Sequence, residues 1–229
     1  MADIKGKAKI EFKANDFIKY LLGQAAFNIN QNILQNKSKI RDEIRIFVYE
    51  SILAQATAKG LEDNSNLAYN LGIPIGEGKS RAQKIAAIVS KSTMVSFPRV
   101  RRVGYEIRGG VKIGIVLSSY ADVLDLASGT VTTDKEQELP WLRWLLLEGG
   151  KIIIPQYYVK YTINENSRST GAFMIENKNT VGWRISPEYI GTEDDNWFTK
   201  SFEGAGLTRF FTLLESIIAK YIDKTAVVN

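Results

Sequence analysis

Four acidic side chains lie within eight residues near the C-terminal end of the chain, namely Glu188, Glu193, Asp194 and Asp195. Carboxylates this close together can ligate a hard metal ion or supply the paired acid and base of a hydrolase. The same stretch also fits the entry to a helix at Trp197, where Asp194 or Asp195 would cap the first free amide groups. The capped helix in a solvated loop is the favoured interpretation, so we predict neither a metal site nor catalytic residues here.

A second set of candidate residues is basic and lies in the middle of the chain. Arg99, Arg101 and Arg102 follow Phe97 and precede Tyr105. A strand that presents arginines beside aromatic rings is typical of proteins that bind single-stranded nucleic acid. Alternation along a strand puts Arg99 and Arg101 on one face and Arg102 on the other. A solvated strand face and an electrostatic contact with a neighbouring subunit are the alternatives.

The composition removes most of the side chains on which common enzymes depend. The 229 residues include no histidine and no cysteine. This excludes Ser-His-Asp and Cys-His nucleophiles, histidine general bases, thiolate or histidine metal sites and disulfides. Carboxylate, lysine and tyrosine chemistry remain. We therefore predict a protein that is not an enzyme and that holds no cofactor and no metal ion.

The spacing of apolar residues predicts the elements that hold these candidates. Apolar residues recur every three or four positions from Asn15 to Gln35 and again from Lys39 to Lys59. This period predicts two long helices, which we expect to form an N-terminal hairpin. Residues 60–80 are rich in Gly, Asn and Pro and predict a connecting loop.

Helix and strand patterns alternate in the rest of the chain. Residues 80–92 have helical spacing, and residues 93–118 alternate apolar with polar positions around Gly109-Gly110, which predicts a β-hairpin. Further predicted elements are a helix at 138–150, strands at 151–163, 172–176 and 181–185, and a final helix at 207–222. The fold class is therefore α+β, with an N-terminal helical hairpin, a central, mostly antiparallel sheet packed with helices, and a C-terminal helix. We divide the chain into a helical region 1–59, the loop 60–80 and an α+β body 81–229, which together form one compact domain.

Three tryptophans complete the set of candidate residues. Trp141 and Trp144 lie three positions apart, and hence on one face of the helix predicted at 138–150. Packing in the core and anchoring of an interface are the two interpretations, since tryptophan suits both. The predicted interface residues are these two together with Arg99, Arg101, Arg102, Glu188, Asp194, Asp195 and Trp197.

Charge is distributed unevenly along the chain. Residues 1–118 hold 19 Lys and Arg against 10 Asp and Glu, whereas residues 119–229 hold 11 against 15. In a ring of subunits arranged head to tail, this polarity would let the basic face of one subunit meet the acidic face of its neighbour. A solvated surface without a partner is the alternative.

A resemblance to a known family falls in the second half of the chain. The succession LPWLRWLLLEGGKIIIPQYYVKY, SRSTGAFMI and WRISPEYIGTEDDNWFTKSFE lies within residues 139–203, under a third of the chain. It resembles the neck and tail-completion proteins of tailed bacteriophages, particularly those with contractile tails. The resemblance implies a protein without catalysis that assembles as a ring on the axial channel between head and tail, or at the head-proximal end of the tail.

The resemblance also implies partners and a location. The partners are further copies of the chain, adjacent virion proteins such as connector, neck or tail-tube and sheath components, and DNA that passes through the channel. The location is the virion, after synthesis in the host cytoplasm, with no part in a membrane. Two other classes of function stay open: a basic nucleic-acid-binding protein that uses the Arg99–Lys112 region, and a carboxylate-dependent hydrolase or nuclease that uses the acids of residues 188–195.

Overall fold

The computed structural model describes residues 13–62, 66–114, 120–132, 136–163, 167 and 171–222. The chain divides into two compact units, each built from separate stretches of sequence. Unit 1 comprises Met1–Arg41, Val95–Ile113 and Glu215–Asn229, and unit 2 comprises Asp42–Met94 and Gly114–Leu214. The sequence instead predicts one compact domain made of three consecutive regions.

One uninterrupted helix, α1 (Ala14–Leu53), replaces the predicted N-terminal hairpin. The hairpin prediction is wrong because nothing in the sequence ends the helix near residue 36. No glycine or proline lies between residues 24 and 53. The side chain of Asn36 donates to the carbonyl oxygen four residues earlier at 3.0 Å. Ile33 and Ile40, two turns apart, are both buried, so one apolar face continues across the predicted break.

Three helices follow in unit 2: α2 (Ala56–Gly60), α3 (Asn66–Asn70) and α4 (Gly78–Ser92). The helix predicted at 80–92 is confirmed. The region 60–80, predicted as a connecting loop, instead contains α3 and the first turn of α4. Its apolar residues explain the difference, because they are buried in the core among the turn-forming residues: Leu61, Leu67, Leu71 and Ile73.

Four short strands lie between residues 94 and 114: β1 (Met94–Ser96), β2 (Arg101–Val103), β3 (Glu106–Arg108) and β4 (Lys112–Gly114). β2 and β3 form an antiparallel hairpin, and β1 pairs with β4. The tight turn is at Gly104-Tyr105, where Gly104 has a φ of 63°, and not at the predicted Gly109-Gly110. A two-residue hairpin turn requires this left-handed conformation, which glycine adopts without strain.

The remaining elements belong to unit 2, apart from the last residues of the C-terminal helix. In chain order they are α5 (Ala121–Leu124), a 3-10 turn (Ala127–Gly129), β5 (Val131–Thr132), β6 (Glu138–Leu139), α6 (Trp141–Leu146), β7 (Ile154–Pro155), β8 (Tyr157–Tyr161), β9 (Ala172–Glu176), β10 (Gly182–Trp183), α7 (Trp197–Lys200) and α8 (Ala205–Ile217), which continues as a π-helix (Ile218–Ile222). The predicted break at Pro155 is confirmed, since β7 ends there and Gln156 has a φ of 62°.

The described strands of unit 2 pair in antiparallel register but do not join into one continuous sheet. β5 pairs with β6, β7 with β10, and β8 with β9, each in antiparallel register. Within the described residues the strands thus form five separate two-stranded sheets, in place of the predicted central sheet. Their lengths of two to five residues leave little edge for a third strand to join. The α+β class is confirmed.

Each unit has its own hydrophobic core. That of unit 1 is small: Ala26, Ile33 and Val100 are buried, with Ile29, Phe97 and Ile107 packed against them. That of unit 2 is large and includes all four tryptophans of the chain: Trp141, Trp144, Trp183 and Trp197. Within the described residues no helix is both long and apolar enough to span a membrane.

Candidate functional site

The three stretches that carry the family resemblance meet in unit 2. Trp144 of the first stretch contacts Trp183 of the third edge to face, with the ring centroids 6.1 Å apart. The amide nitrogen of Gly149 donates to the carbonyl oxygen of Gly191 at 2.9 Å. In the second stretch, the carbonyl oxygen of Gly171 accepts from the amide nitrogen of Thr162 at 3.1 Å, while residues 168–170 of its predicted turn lie outside the described residues.

The contact between the first and third stretches is one of backbone against backbone. A Cβ atom on Gly191 would lie 2.4 Å from the carbonyl oxygen of Leu145, and one on Gly149 would lie 2.5 Å from the carbonyl oxygen of Gly191. Both distances are far below van der Waals contact, and backbone atoms cannot rotate away as a side chain can. Glycine is therefore required at both positions.

The tryptophans predicted as interface candidates are core residues. Trp141 and Trp197 are fully buried, and Trp144 is 8% exposed. The indole nitrogen of Trp197 donates to the carbonyl oxygen of Ile52 at 2.9 Å. Of the two interpretations left open by the sequence, core packing is the correct one. These three residues are buried by the chain itself and offer no surface to a partner.

Glu148 lies two residues after the end of α6 and binds two cationic side chains. It accepts from the guanidinium of Arg143 at 2.8 Å and from the ammonium of Lys151 at 3.3 Å. Burial alone would raise the pKa of this carboxyl, but the two hydrogen-bonded cations lower it below its usual value. The charged form is thus favoured in the folded chain. The ion pairs stabilise unit 2 at neutral pH, and this contribution is lost as the pH falls through the folded pKa.

The predicted cap at the entry to α7 is wrong by one residue. Asn196, and neither Asp194 nor Asp195, is the N-cap. Its side-chain oxygen accepts from the amides of Phe198 and Thr199 at 2.9 and 3.3 Å, and its own amide donates to the Thr199 hydroxyl at 2.8 Å. This reciprocal pair is a capping box. The spacing Asn-x-x-Thr was the sequence signal for it, and the adjacent acids concealed it.

Asn196 also joins the loop before α7 to the core. It is fully buried, and its side-chain nitrogen lies 2.8 Å from the hydroxyl of Tyr120 and 2.8 Å from the carbonyl oxygen of Thr192. The Tyr120 hydroxyl in turn donates to the carbonyl oxygen of Glu193 at 3.0 Å. One amide side chain therefore satisfies the helix end and fixes the acidic loop, a role that sequence reasoning missed.

Asn196→Ala is expected to lower the free energy of unfolding by about 2–4 kcal/mol. The loss combines a helix cap, worth about 0.5–2 kcal/mol, with buried partners left unsatisfied at about 1–3 kcal/mol. Urea denaturation followed by circular dichroism measures it. Asn179→Ala, at an exposed asparagine of the same unit, should change stability by less than about 0.5 kcal/mol. Equal midpoints for the two variants would contradict the role assigned to Asn196.

The acidic cluster lies on an exposed loop. Glu188, Glu193, Asp194 and Asp195 are all exposed, and Asp195 pairs with Lys200 at 3.2 Å. Burial and the neighbouring carboxylate of Glu188 raise the pKa of the Tyr189 hydroxyl. In the part of the chain that the structure describes, no three acidic residues are placed to hold a metal ion together.

The basic candidates line an open groove in unit 1 with a volume of about 740 Å³, which we name the arginine groove. One wall is α1, and the other is the segment that ends in the β2–β3 hairpin. The lining residues are Gly23, Ala26, Phe27, Asn30, Pro98, Arg99, Val100, Arg101, Arg102, Arg108 and Gly109. Arg99 precedes β2 and does not belong to it, so the predicted alternation holds only for Arg101 and Arg102, which are adjacent in β2. Lys112 lies outside the groove lining, whereas Arg108 belongs to it.

Comparisons with protein-family models, with curated proteins and with solved structures found no match for the chain. The candidate sites therefore rest on their own geometry. Unit 2 contains the packed stretches of residues 139–203, and unit 1 contains the open basic groove.

Proposed function

We propose that the protein is a non-enzymatic structural component of a tailed-bacteriophage particle. In this proposal it works at the neck or the tail-completion end of the tail, as a subunit of a ring that joins head and tail. The resemblance of residues 139–203 to neck and tail-completion proteins is the starting point. The chain would meet further copies of itself and adjacent connector, neck or tail-tube and sheath proteins.

The observation that carries the proposal is where the resembling residues lie. Aromatic and glycine residues among them fall on packing positions: Trp141, Trp144 and Trp197 are core residues, and Gly149 and Gly191 form a backbone contact. A likeness that rests on core and close-contact residues indicates a shared body, not a shared catalytic site. A well-packed body of this kind is what a subunit of a particle has to supply to its neighbours.

The hydrolase alternative receives less support. Its candidate acids are exposed to solvent, and Asp195 forms an ion pair with Lys200. A general acid at neutral pH requires a carboxyl with a raised pKa, usually through burial or a second carboxylate. The loop instead serves as the entry to α7, and its backbone is fixed by Asn196 and Tyr120.

An amber codon early in the gene tests the structural role. In a non-suppressing host, we expect no infectious particles and an accumulation of separate heads and tails. Suppression of the codon in a second host should restore joined particles, which controls for effects on neighbouring genes. Mass spectrometry should find the chain in purified wild-type particles, and cryo-electron microscopy should place it at the neck. Infectious particles that lack the chain would contradict the proposal.

Nucleic-acid binding is the second candidate function, and the arginine groove of unit 1 is the observation that favours it. The two functions are compatible, because a ring on the axial channel of a phage surrounds DNA. They are also separable, because a particle protein need not bind DNA and a DNA-binding protein need not enter the particle.

A further inference from the structure

The excess positive charge of the chain belongs to unit 1. Over its 75 residues unit 1 has 15 Lys and Arg and six Asp and Glu, whereas unit 2 has 15 against 19. The polarity seen along the sequence is therefore a property of one compact unit. A net charge of +9 on 75 residues is typical of domains that bind polyanions.

The arginine groove concentrates this charge. Four of its lining residues are arginines, and none is acidic. Asn30 of α1 fixes the opposite wall: its side-chain nitrogen donates to the carbonyl oxygen of Val100 at 2.7 Å, and the Val100 amide donates back to its side-chain oxygen at 2.8 Å. Arg99 and Arg101, on either side of Val100, are thus attached to an anchored point of the backbone.

The positions of the arginines destabilise the fold. Arg101 lies directly opposite Arg108 in the β2–β3 register, and like charges in this position destabilise a sheet. Glu106 offsets Arg108 with an ion pair of 3.0 Å. The guanidinium groups of Arg99 and Arg101 form no hydrogen bond or ion pair with any residue that the structure describes. The groove therefore presents at least two cations that an anion from outside the chain would neutralise.

Aromatic rings accompany the arginines. Phe27 lines the groove and is 57% exposed, and Tyr105, at the tip of the hairpin, is 55% exposed. The ammonium of Lys19 lies 5.8 Å from the centre of the Tyr105 ring. Exposed rings beside cations provide stacking surfaces for bases next to contacts for phosphates. A small anion would use neither the rings nor the length of the groove.

We propose that the arginine groove of unit 1 binds a nucleic acid through its phosphate backbone. Arg99, Arg101 and Arg108 contact successive phosphates, and Phe27 stacks on a base where the nucleic acid is single-stranded. Binding is independent of base sequence, because the lining offers cations and rings and its one amide side chain, Asn30, is occupied by Val100. This inference does not rest on the role in a phage particle.

Fluorescence anisotropy of the full-length protein with a labelled DNA oligonucleotide tests the proposal, in single-stranded and duplex form. Neutralising three phosphates predicts that a fourfold rise in salt, from about 50 to 200 mM, weakens binding about 40-fold for duplex and about 20-fold for single-stranded DNA. Arg99→Gln with Arg101→Gln should reduce the duplex salt effect to about fourfold and weaken binding at low salt.

The matched control changes two exposed arginines of unit 2 to the same residue, Arg184→Gln with Arg209→Gln, for an equal change in net charge. It should bind like wild type and keep the wild-type melting temperature, and the groove variant should melt no lower than wild type, because it removes the like-charge pair of Arg101 and Arg108. Phe27→Ala should weaken single-stranded binding at least about fivefold and leave duplex binding unchanged.

Three results would overturn the proposal. The first is a wild-type protein that binds neither form of DNA, and the second is a groove variant that binds DNA as the unit 2 control does. A groove variant that keeps DNA binding but loses self-association would show that the acidic loop of a neighbouring subunit occupies the groove instead. Unchanged single-stranded binding by Phe27→Ala would refute the stacking contact.

Discussion

Trp141→Ala is expected to remove a large part of the protein's free energy of unfolding, about 3–5 kcal/mol. Trp141 is fully buried in the core of unit 2, and truncation of a buried aromatic residue to alanine costs about 3–5 kcal/mol. Typical domains are stable by only about 5–15 kcal/mol, so this is a large part of the total. Circular dichroism and the urea midpoint measure the loss.

Three further variants separate this effect from simple loss of a side chain. Ile163→Ala removes an apolar side chain that is 86% exposed, and it should change stability by less than about 0.5 kcal/mol. Trp141→Phe should cost less than Trp197→Phe, because the Trp141 indole nitrogen has no hydrogen-bond partner among the described residues, whereas that of Trp197 donates to Ile52. A Trp141→Ala protein with the wild-type urea midpoint would show that α6 does not pack in the core.

Gly191→Ala is expected to destabilise unit 2 by more than about 3 kcal/mol or to prevent folding. The new Cβ would lie 2.4 Å from the Leu145 carbonyl oxygen and 2.5 Å from the Asn196 Cβ. Overpacking that a flexible side chain can relieve costs about 1–3 kcal/mol, and here a backbone atom would have to move. The urea midpoint of the purified variant, or its absence from the soluble fraction, measures the effect.

Gly23→Ala is the matched glycine control. It lies within α1, and no atom stands within 4 Å of the position of its Cβ. Alanine is favoured over glycine in a helix by about 0.5–1 kcal/mol, so this variant should be more stable than wild type. If both glycine variants shifted stability in the same direction, the close backbone contact at Gly191 would not be the cause of the first effect.

The sequence predicted secondary structure best where a local pattern of residues extended over a whole helix or strand. The helix at 80–92, the strand at 172–176 and the break at Pro155 follow from local patterns and are confirmed. The predicted division between Gln35 and Lys39 is wrong because the polar residues between them lie on the exposed or half-buried side of one continuous helix. Polar residues end a helix only when its buried face ends with them.

The sites were harder to predict because they depend on long-range contacts. The arginines were identified from their spacing, but the groove needs Asn30 and Phe27 of α1, some seventy residues earlier in the chain. The role of Asn196 depends on Tyr120, and that of Gly191 on the Leu145 backbone. No local pattern reveals these pairs. The charge asymmetry also could not be assigned to one unit from the sequence, because unit 1 is assembled from three separate stretches of chain.

The division of the chain into discontinuous units also sets an order of events during synthesis. All residues that line the arginine groove lie between positions 23 and 109, whereas the core of unit 2 includes Trp197 and Phe198. The parts of the groove therefore leave the ribosome almost ninety residues before the core of unit 2 can close. At about 5–20 residues per second, this interval is about 5–18 seconds. The nascent chain thus carries its basic surface well before its largest hydrophobic core is complete.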